Sequence, residues 1–108
     1  MSVSYFGNVV SELVILDFST TLFGNDVGST NALLVYLNPN LPTLYIGLSI
    51  NILVANTNTG ASTLNLSGFG NINITHTTGS ALNANDLLAR GIYKFIYDGT
   101  NFQLYSYH

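Results

Sequence analysis

The residues that could do chemistry in this chain are two histidines and five acidic side chains. A Ser-His-Asp hydrolase would have to combine a serine with His76 and with Asp86 or Asp98, and no nucleophile-elbow motif supplies that serine. The second histidine, His108, is the last residue of the sequence. Asp86 and Asp98 lie in turn-like sequences, which predicts that their carboxylates bind nearby backbone amides. We therefore predict that the chain is not an enzyme and that it has no catalytic residues.

The sequence also disfavours a metal site. Residues 56–58 and 98–101 offer oxygen ligands, but they contain at most one carboxylate each. Calcium prefers about six to eight oxygen ligands, several of them carboxylates. The chain has no cysteine, which excludes disulfides and thiolate zinc sites. We expect neither a metal nor a cofactor.

A saccharide site has more support from the residue types. Sugar sites often combine aromatic rings with amide and carboxylate groups, and four such residues lie near one another in the sequence: Asp98, Asn101, Tyr105 and Tyr107. The competing interpretation is that these tyrosines pack in the core or at a subunit interface, and it is favoured because tyrosine is abundant in both places. Carbohydrate recognition therefore remains an alternative function.

Charge is scarce, since only 6% of the residues are charged and the formal net charge is −3, whereas a typical domain is about one quarter charged. Two cations, Arg90 and Lys94, are too few to bind a nucleic acid backbone. The apolar windows at 13–16 and 41–54 are interrupted well short of the roughly 20 residues of a membrane helix. The first residues lack the pattern of a secretion signal. We expect neither a nucleic acid nor a membrane as a partner, and little charge repulsion between copies.

Alternation of apolar and polar residues predicts an all-β fold of about seven or eight short strands, an antiparallel sandwich or a small barrel. The alternation is clearest in residues 45–55, with one face formed by Ile46, Leu48, Ile50, Ile52 and Val54. Other strands are expected at 30–37, 63–66, 71–75, 92–97 and 102–107. Residues 84–89 could form one helical turn capped by Asn83 or Asn85. Residues 5–23 fit a helix or a strand, and their β-branched content favours a strand.

Four residues are predicted to lie in the turns between these strands: Asn58, Gly60, Gly68 and Gly99. Gly60 can adopt a positive φ before the strand that follows it. Asp98 and Gly99 lie between two aromatic runs, which is a strong hairpin signal. We expect this hairpin to anchor the core through Phe95 and its neighbours.

The same segments carry a resemblance to a known family. The pattern begins near residues 28–33 and continues as N-T-G-A-S-T-L-N-L-S-G-F-G, G-S-A-L-N-A-N-D-L-L-A-R-G-I-Y and Y-D-G-T-N-F-Q-L, in this order. It resembles a domain repeated in tail-fibre and related virion proteins of tailed bacteriophages, over about residues 28–106. The resemblance implies a non-enzymatic virion structural protein, made in the cytoplasm of the bacterial host, that forms a homotrimer.

This resemblance divides the chain into an N-terminal attachment segment, 1–27, and a fibre-like β domain, 28–108, which together form one compact unit. A chain of 108 residues leaves no room for a fibre shaft, so a capsid decoration or cement protein is an alternative to a tail-fibre component. A third possibility is a module that binds glycans of the host surface. The expected partners are other copies of the chain and other virion proteins of the tail or capsid.

Overall fold

A computed structural model describes residues 22–38 and 40–105. These ranges contain seven strands: β1 (Leu22–Asn25), β2 (Ala32–Val35), β3 (Ser49–Leu53), β4 (Ser62–Leu66), β5 (Asn71–Thr75), β6 (Ile92–Tyr97) and β7 (Phe102–Tyr105). They contain no helix, and hence none long and apolar enough to cross a bilayer. Most of the strand expected at 5–23, together with Tyr107 and His108, falls outside the described residues. The N-terminal segment expected at 1–27 overlaps the sheet, because its residues 22–25 form β1.

The seven strands form one nearly closed barrel-like sheet in the order β1-β3-β6-β7-β5-β4-β2. This confirms the prediction of an all-β fold, and of the two expected architectures, sandwich or small barrel, the sheet is barrel-like. The sheet is mixed rather than purely antiparallel, because β1–β3, β2–β4 and β5–β7 are parallel pairs. Each parallel pair joins strands that are not consecutive in the chain, and the alternation within one strand carries no information about such a partner.

Alternation along each strand places one set of apolar side chains inside the barrel. Phe95 and Phe102 are completely buried there. Burial of such a ring contributes roughly 1.5–3 kcal/mol to stability, so the β6–β7 hairpin anchors the core as expected. The predicted inward face of β3 is confirmed at four positions, Leu48, Ile50, Ile52 and Val54. Its fifth member, Ile46, is 75% exposed because it lies in the turn that precedes β3.

The helical turn expected at 84–89 is wrong. The segment instead forms tight turns, in which the backbone N of Asp86 donates to the carbonyl of Asn83 at 3.2 Å. Asn85 adopts a φ of 69°, a left-handed conformation that interrupts a right-handed helix and that asparagine tolerates well. Asn83 and Asn85 therefore serve turns and do not cap a helix.

The edge strands β1 and β2 approach each other where the barrel closes. Gly24 of β1 lies against the Val35 side chain of β2, and a Cβ atom at position 24 would overlap Cγ1 of Val35. Beyond β1, the backbone N of Val27 donates to the carbonyl of Leu34 at 2.8 Å. A glycine at position 24 thus permits the close approach that brings the two edges together.

The carboxylate of Asp26 fastens this junction. Asp26 is 6% exposed. Its Oδ1 accepts hydrogen bonds from the backbone N of Gly28 at 2.8 Å and of Leu34 at 3.1 Å. Its Oδ2 accepts from the backbone N of Ala55 at 3.0 Å, just after β3. One buried side chain therefore links three segments of the chain, an arrangement that we call the Asp26 junction.

Candidate functional site

Asp98 uses its carboxylate to build the turn between β6 and β7. Its Oδ1 accepts from the backbone N of Asn101 at 2.7 Å and of Thr100 at 2.8 Å, and its Oδ2 accepts from Nε2 of Gln103 at 3.0 Å. These bonds hold the pKa of Asp98 below its ordinary value, and the backbone bond from Asn101 is the largest cause. The interpretation of Asp98 as a turn residue is therefore confirmed.

Of the other residues of the predicted saccharide site, Asn101 lies in this turn, whereas Tyr105 lies apart from it. Tyr105 is at the far end of β7, opposite Lys94 of β6, and four residues of extended strand separate it from Asn101 by about 13 Å. Asn101 borders a cavity of about 230 Å³ whose wall includes Thr75. The Thr75 hydroxyl is buried and has no hydrogen-bond partner in the described part of the chain. The structure thus does not bring Asp98, Asn101 and Tyr105 into one site, and Tyr107 is not among the described residues.

Asn58 joins two loops through a buried amide that is 1% exposed. Its Nδ2 donates to the carbonyls of Gly60 at 2.8 Å and Asn83 at 2.9 Å, and its Oδ1 accepts from the backbone N of Leu87 at 2.9 Å. The Asn58 backbone N also donates to the Leu87 carbonyl at 3.0 Å. The turn role expected from the sequence is local, whereas this side chain connects segments that are 25 and 29 residues apart.

The three turn glycines differ in why a glycine is present. Gly68 and Gly99 adopt φ values of 84° and 100°, as their turns require. Gly60 does not adopt a positive φ, so that expectation is wrong. Its carbonyl instead accepts hydrogen bonds from Asn58 Nδ2 and from the Ser62 hydroxyl at 2.9 Å, which fixes the loop without a left-handed residue.

The structure brings His76 and Asp86 together, with Nε2 of the histidine 3.0 Å from Oδ2 of the aspartate. The same Oδ2 accepts from the backbone N of Asn83 at 2.7 Å. The hydroxyls of Thr78 and Ser80, which lie close to His76 in the chain, hydrogen-bond to each other at 3.1 Å. Across the described ranges no three His, Cys, Asp or Glu side chains cluster as metal ligands. The pair connects two loops and, in the described structure, has no nucleophile hydrogen-bonded to it.

The outer surface of β1, β3, β6 and β7 combines exposed apolar side chains with polar ones. Register places Phe23, Asn51, Lys94 and Tyr105 side by side across these four strands. Phe23 is 51% exposed, Ile92 56% and Tyr105 44%. Leu53, opposite Ile92, and Ile96 point to the same side of the sheet. We call Phe23, Leu53, Ile92, Ile96 and Tyr105 the exposed apolar face; Lys94 lies within it.

The outer surface of β4 and β5 is polar instead. Their outward positions are Thr63, Asn65, Asn71 and Asn73, and register places Asn65 opposite Asn71 and Thr63 opposite Asn73. None of these four side chains carries a charge. The barrel therefore presents an apolar surface on one part of its sheet and a neutral polar surface on another.

A cavity of about 400 Å³ opens beside the Asp26 junction. Its walls are formed by Asn25, Asp26, Leu53, Val54, Ala55 and Arg90. We call it the Arg90 cavity. Sequence reasoning missed it, because its walls come from three separate segments of the chain. A charged residue in a turn position that usually favours glycine was the available signal.

Comparison of the sequence with protein-family models and with curated proteins found no match.

Proposed function

We propose that this chain is a non-enzymatic structural protein on the surface of a tailed-phage virion, where it acts as a homotrimeric β-barrel module. The resemblance of residues 28–106 to repeated domains of tail fibres suggests this class. The observation that carries the proposal is the exposed apolar face, because a large apolar surface on a soluble domain marks an interaction site. The tail and the capsid are both compatible locations for such a module.

The chemistry-bearing side chains support a scaffold more than a catalyst. The carboxylates of Asp26 and Asp98 accept backbone hydrogen bonds, and the Asn58 amide binds three backbone groups. His76 and Asp86 bind each other. In each case the polar atoms hold loops in place, which suits a protein whose function is to keep its shape.

The exposed apolar face is suited to contact between copies. Phe23 and Tyr105 each leave about half of their surface open, which is roughly 100 Å² for an aromatic side chain. Covering that area stabilises an assembly by roughly 2.5 kcal/mol per ring before the cost of association is counted. Lys94 is the single charge on this face, and Asn51 lies beside it, so both need hydrogen-bond partners across the interface. In a trimer, the faces of three copies would converge on the axis, and each copy would contact two neighbours.

Native mass spectrometry and light scattering of the full chain at micromolar concentration test this interface. We expect a trimer for the wild type and a monomer for the double variant Phe23→Ser, Tyr105→Ser, with an unchanged circular dichroism spectrum. Phe69→Ser is the matched control, because Phe69 is 40% exposed in the turn between β4 and β5, strands that contribute nothing to the exposed apolar face. A monomeric wild type, or a trimer that survives the double variant, would contradict the proposal.

A further inference from the structure

Arg90 occupies a backbone position that the fold does not require an arginine to fill. It is the third residue of a turn closed by a 3.0 Å hydrogen bond from the backbone N of Gly91 to the carbonyl of Leu88. Its φ is 72°, in the left-handed region that favours glycine at this turn position. An arginine there is strained relative to glycine, and strained residues concentrate where a side chain has a function.

The Arg90 side chain lines the Arg90 cavity together with Asp26. In the described part of the chain, no carboxylate lies within ion-pair distance of the Arg90 guanidinium. A guanidinium carries five N–H donors that a ligand in this cavity could use.

Asp26 offers an acceptor to the same cavity. A carboxylate has about four acceptor positions, and three of those of Asp26 are taken by the backbone N–H groups of Gly28, Leu34 and Ala55. The remaining position is on Oδ2, which accepts only the bond from Ala55. Asp26 is 6% exposed and is one of the residues that line the cavity.

We propose that the Arg90 cavity binds a neutral saccharide. One cation and one anion on the same cavity disfavour a strongly charged ligand of either sign. A hydroxyl group is both donor and acceptor, so vicinal hydroxyls can accept from Arg90 and donate to Asp26 at the same time. Asn25 adds an amide with both capacities, and Leu53 and Ala55 offer apolar surface to the C–H groups of a sugar ring. The volume of about 400 Å³ is in the range of small-molecule sites.

This site differs from the hairpin residues that the sequence suggested for carbohydrate binding. It also stands independently of the virion proposal, because it depends only on the walls of one barrel. A peptide with amide donors and acceptors is the alternative occupant, and it is tested in the same experiment.

The test uses an array of neutral oligosaccharides built from glucose, galactose, mannose and N-acetylglucosamine, with acidic glycans and random peptides on the same slide. The strongest saccharide is then titrated calorimetrically into the full chain and its variants. We expect Arg90→Gly to weaken binding by at least about tenfold, which corresponds to 1.4 kcal/mol, while its melting temperature stays equal or rises. Asn25→Ala is expected to weaken binding as well. Asn71→Ala, which removes an amide from the outer surface of β5, is the control that keeps wild-type affinity.

Several results would overturn the proposal: no neutral saccharide bound at millimolar concentration, preference for acidic glycans or peptides, or equal affinity in Arg90→Gly. An Arg90→Gly variant that is less stable than the wild type would also contradict it, since the arginine would then have a structural role. If Arg90 binds the ligand, Arg90→Gly should bind the saccharide more weakly and keep the stability of the wild type; a structural role for Arg90 does not predict this combination.

Discussion

Removing the Asp26 carboxylate gives the most informative test of how the barrel closes. In Asp26→Ala, the backbone N–H groups of Gly28, Leu34 and Ala55 lose their acceptor. A buried donor left without a partner costs about 1–3 kcal/mol. Because these three bonds are only partly buried, water can reach some of the freed groups, and we take about 1 kcal/mol for each.

The free energy of unfolding should therefore fall by about 3 kcal/mol in Asp26→Ala. For a domain of this size, that corresponds to a decrease in melting temperature of roughly 10–20 °C. The stability of Asp26→Asn should lie between those of Asp26→Ala and the wild type, with a loss of about 1–2 kcal/mol. One oxygen can still accept two hydrogen bonds, while the new amide group faces the N–H of Ala55.

Urea denaturation followed by tyrosine fluorescence measures these differences, since the chain has no tryptophan and seven tyrosines. Amide hydrogen exchange adds a local measurement, because the amides of Gly28, Leu34 and Ala55 should lose protection before the β6–β7 hairpin does. A loss below about 1 kcal/mol in Asp26→Ala, or equal stability of the alanine and asparagine variants, would refute the described role of this carboxylate.

Two further substitutions test the loops. Asn58→Asp should cost about 3 kcal/mol at neutral pH, more than Asn58→Ala, because it replaces the amide donor with a carboxylate oxygen, an acceptor, that faces the carbonyls of Gly60 and Asn83; equal urea midpoints for the two variants would contradict this. Asp98 has a lowered pKa in the fold, so its charged form stabilises the native state above the unfolded pKa of about 4. That contribution is lost as the pH falls through the lower folded pKa. Asp98→Asn should therefore be slightly less stable than wild type at pH 7 and equal to it near pH 2, whereas a pH-independent difference in urea midpoint would show that the charge has no effect.

Local patterns in the sequence were sufficient to predict the strands that pair with the next strand along the chain. The Ser67-Gly68 and Asp98-Gly99 turns place β4 against β5 and β6 against β7, and the alternation of β3 identifies most of its buried face. These features depend on a few adjacent residues and on the period of a strand, both of which are visible in a sequence.

The features that could not be predicted from the sequence depend on contacts between residues far apart in the chain. Asp26 resembles an ordinary loop residue, and only the approach of β1 and β2 makes it a buried acceptor for three segments. The separation of Asn101 and Tyr105 likewise follows from their places at opposite ends of β7. Arg90 comes beside Asp26 only because the turn after Leu88 lies against the end of β3.

The central claim is that this chain is a structural component on the virion surface. Immunogold labelling of purified tailed-phage virions, from cells in which the chain is produced, with an antibody against the folded chain tests that claim most directly. We expect gold on intact particles; label on the head would identify a decoration protein, and label on the tail a fibre component. Unlabelled virions, with the antigen found only in the soluble fraction of the infected lysate, would contradict the claim.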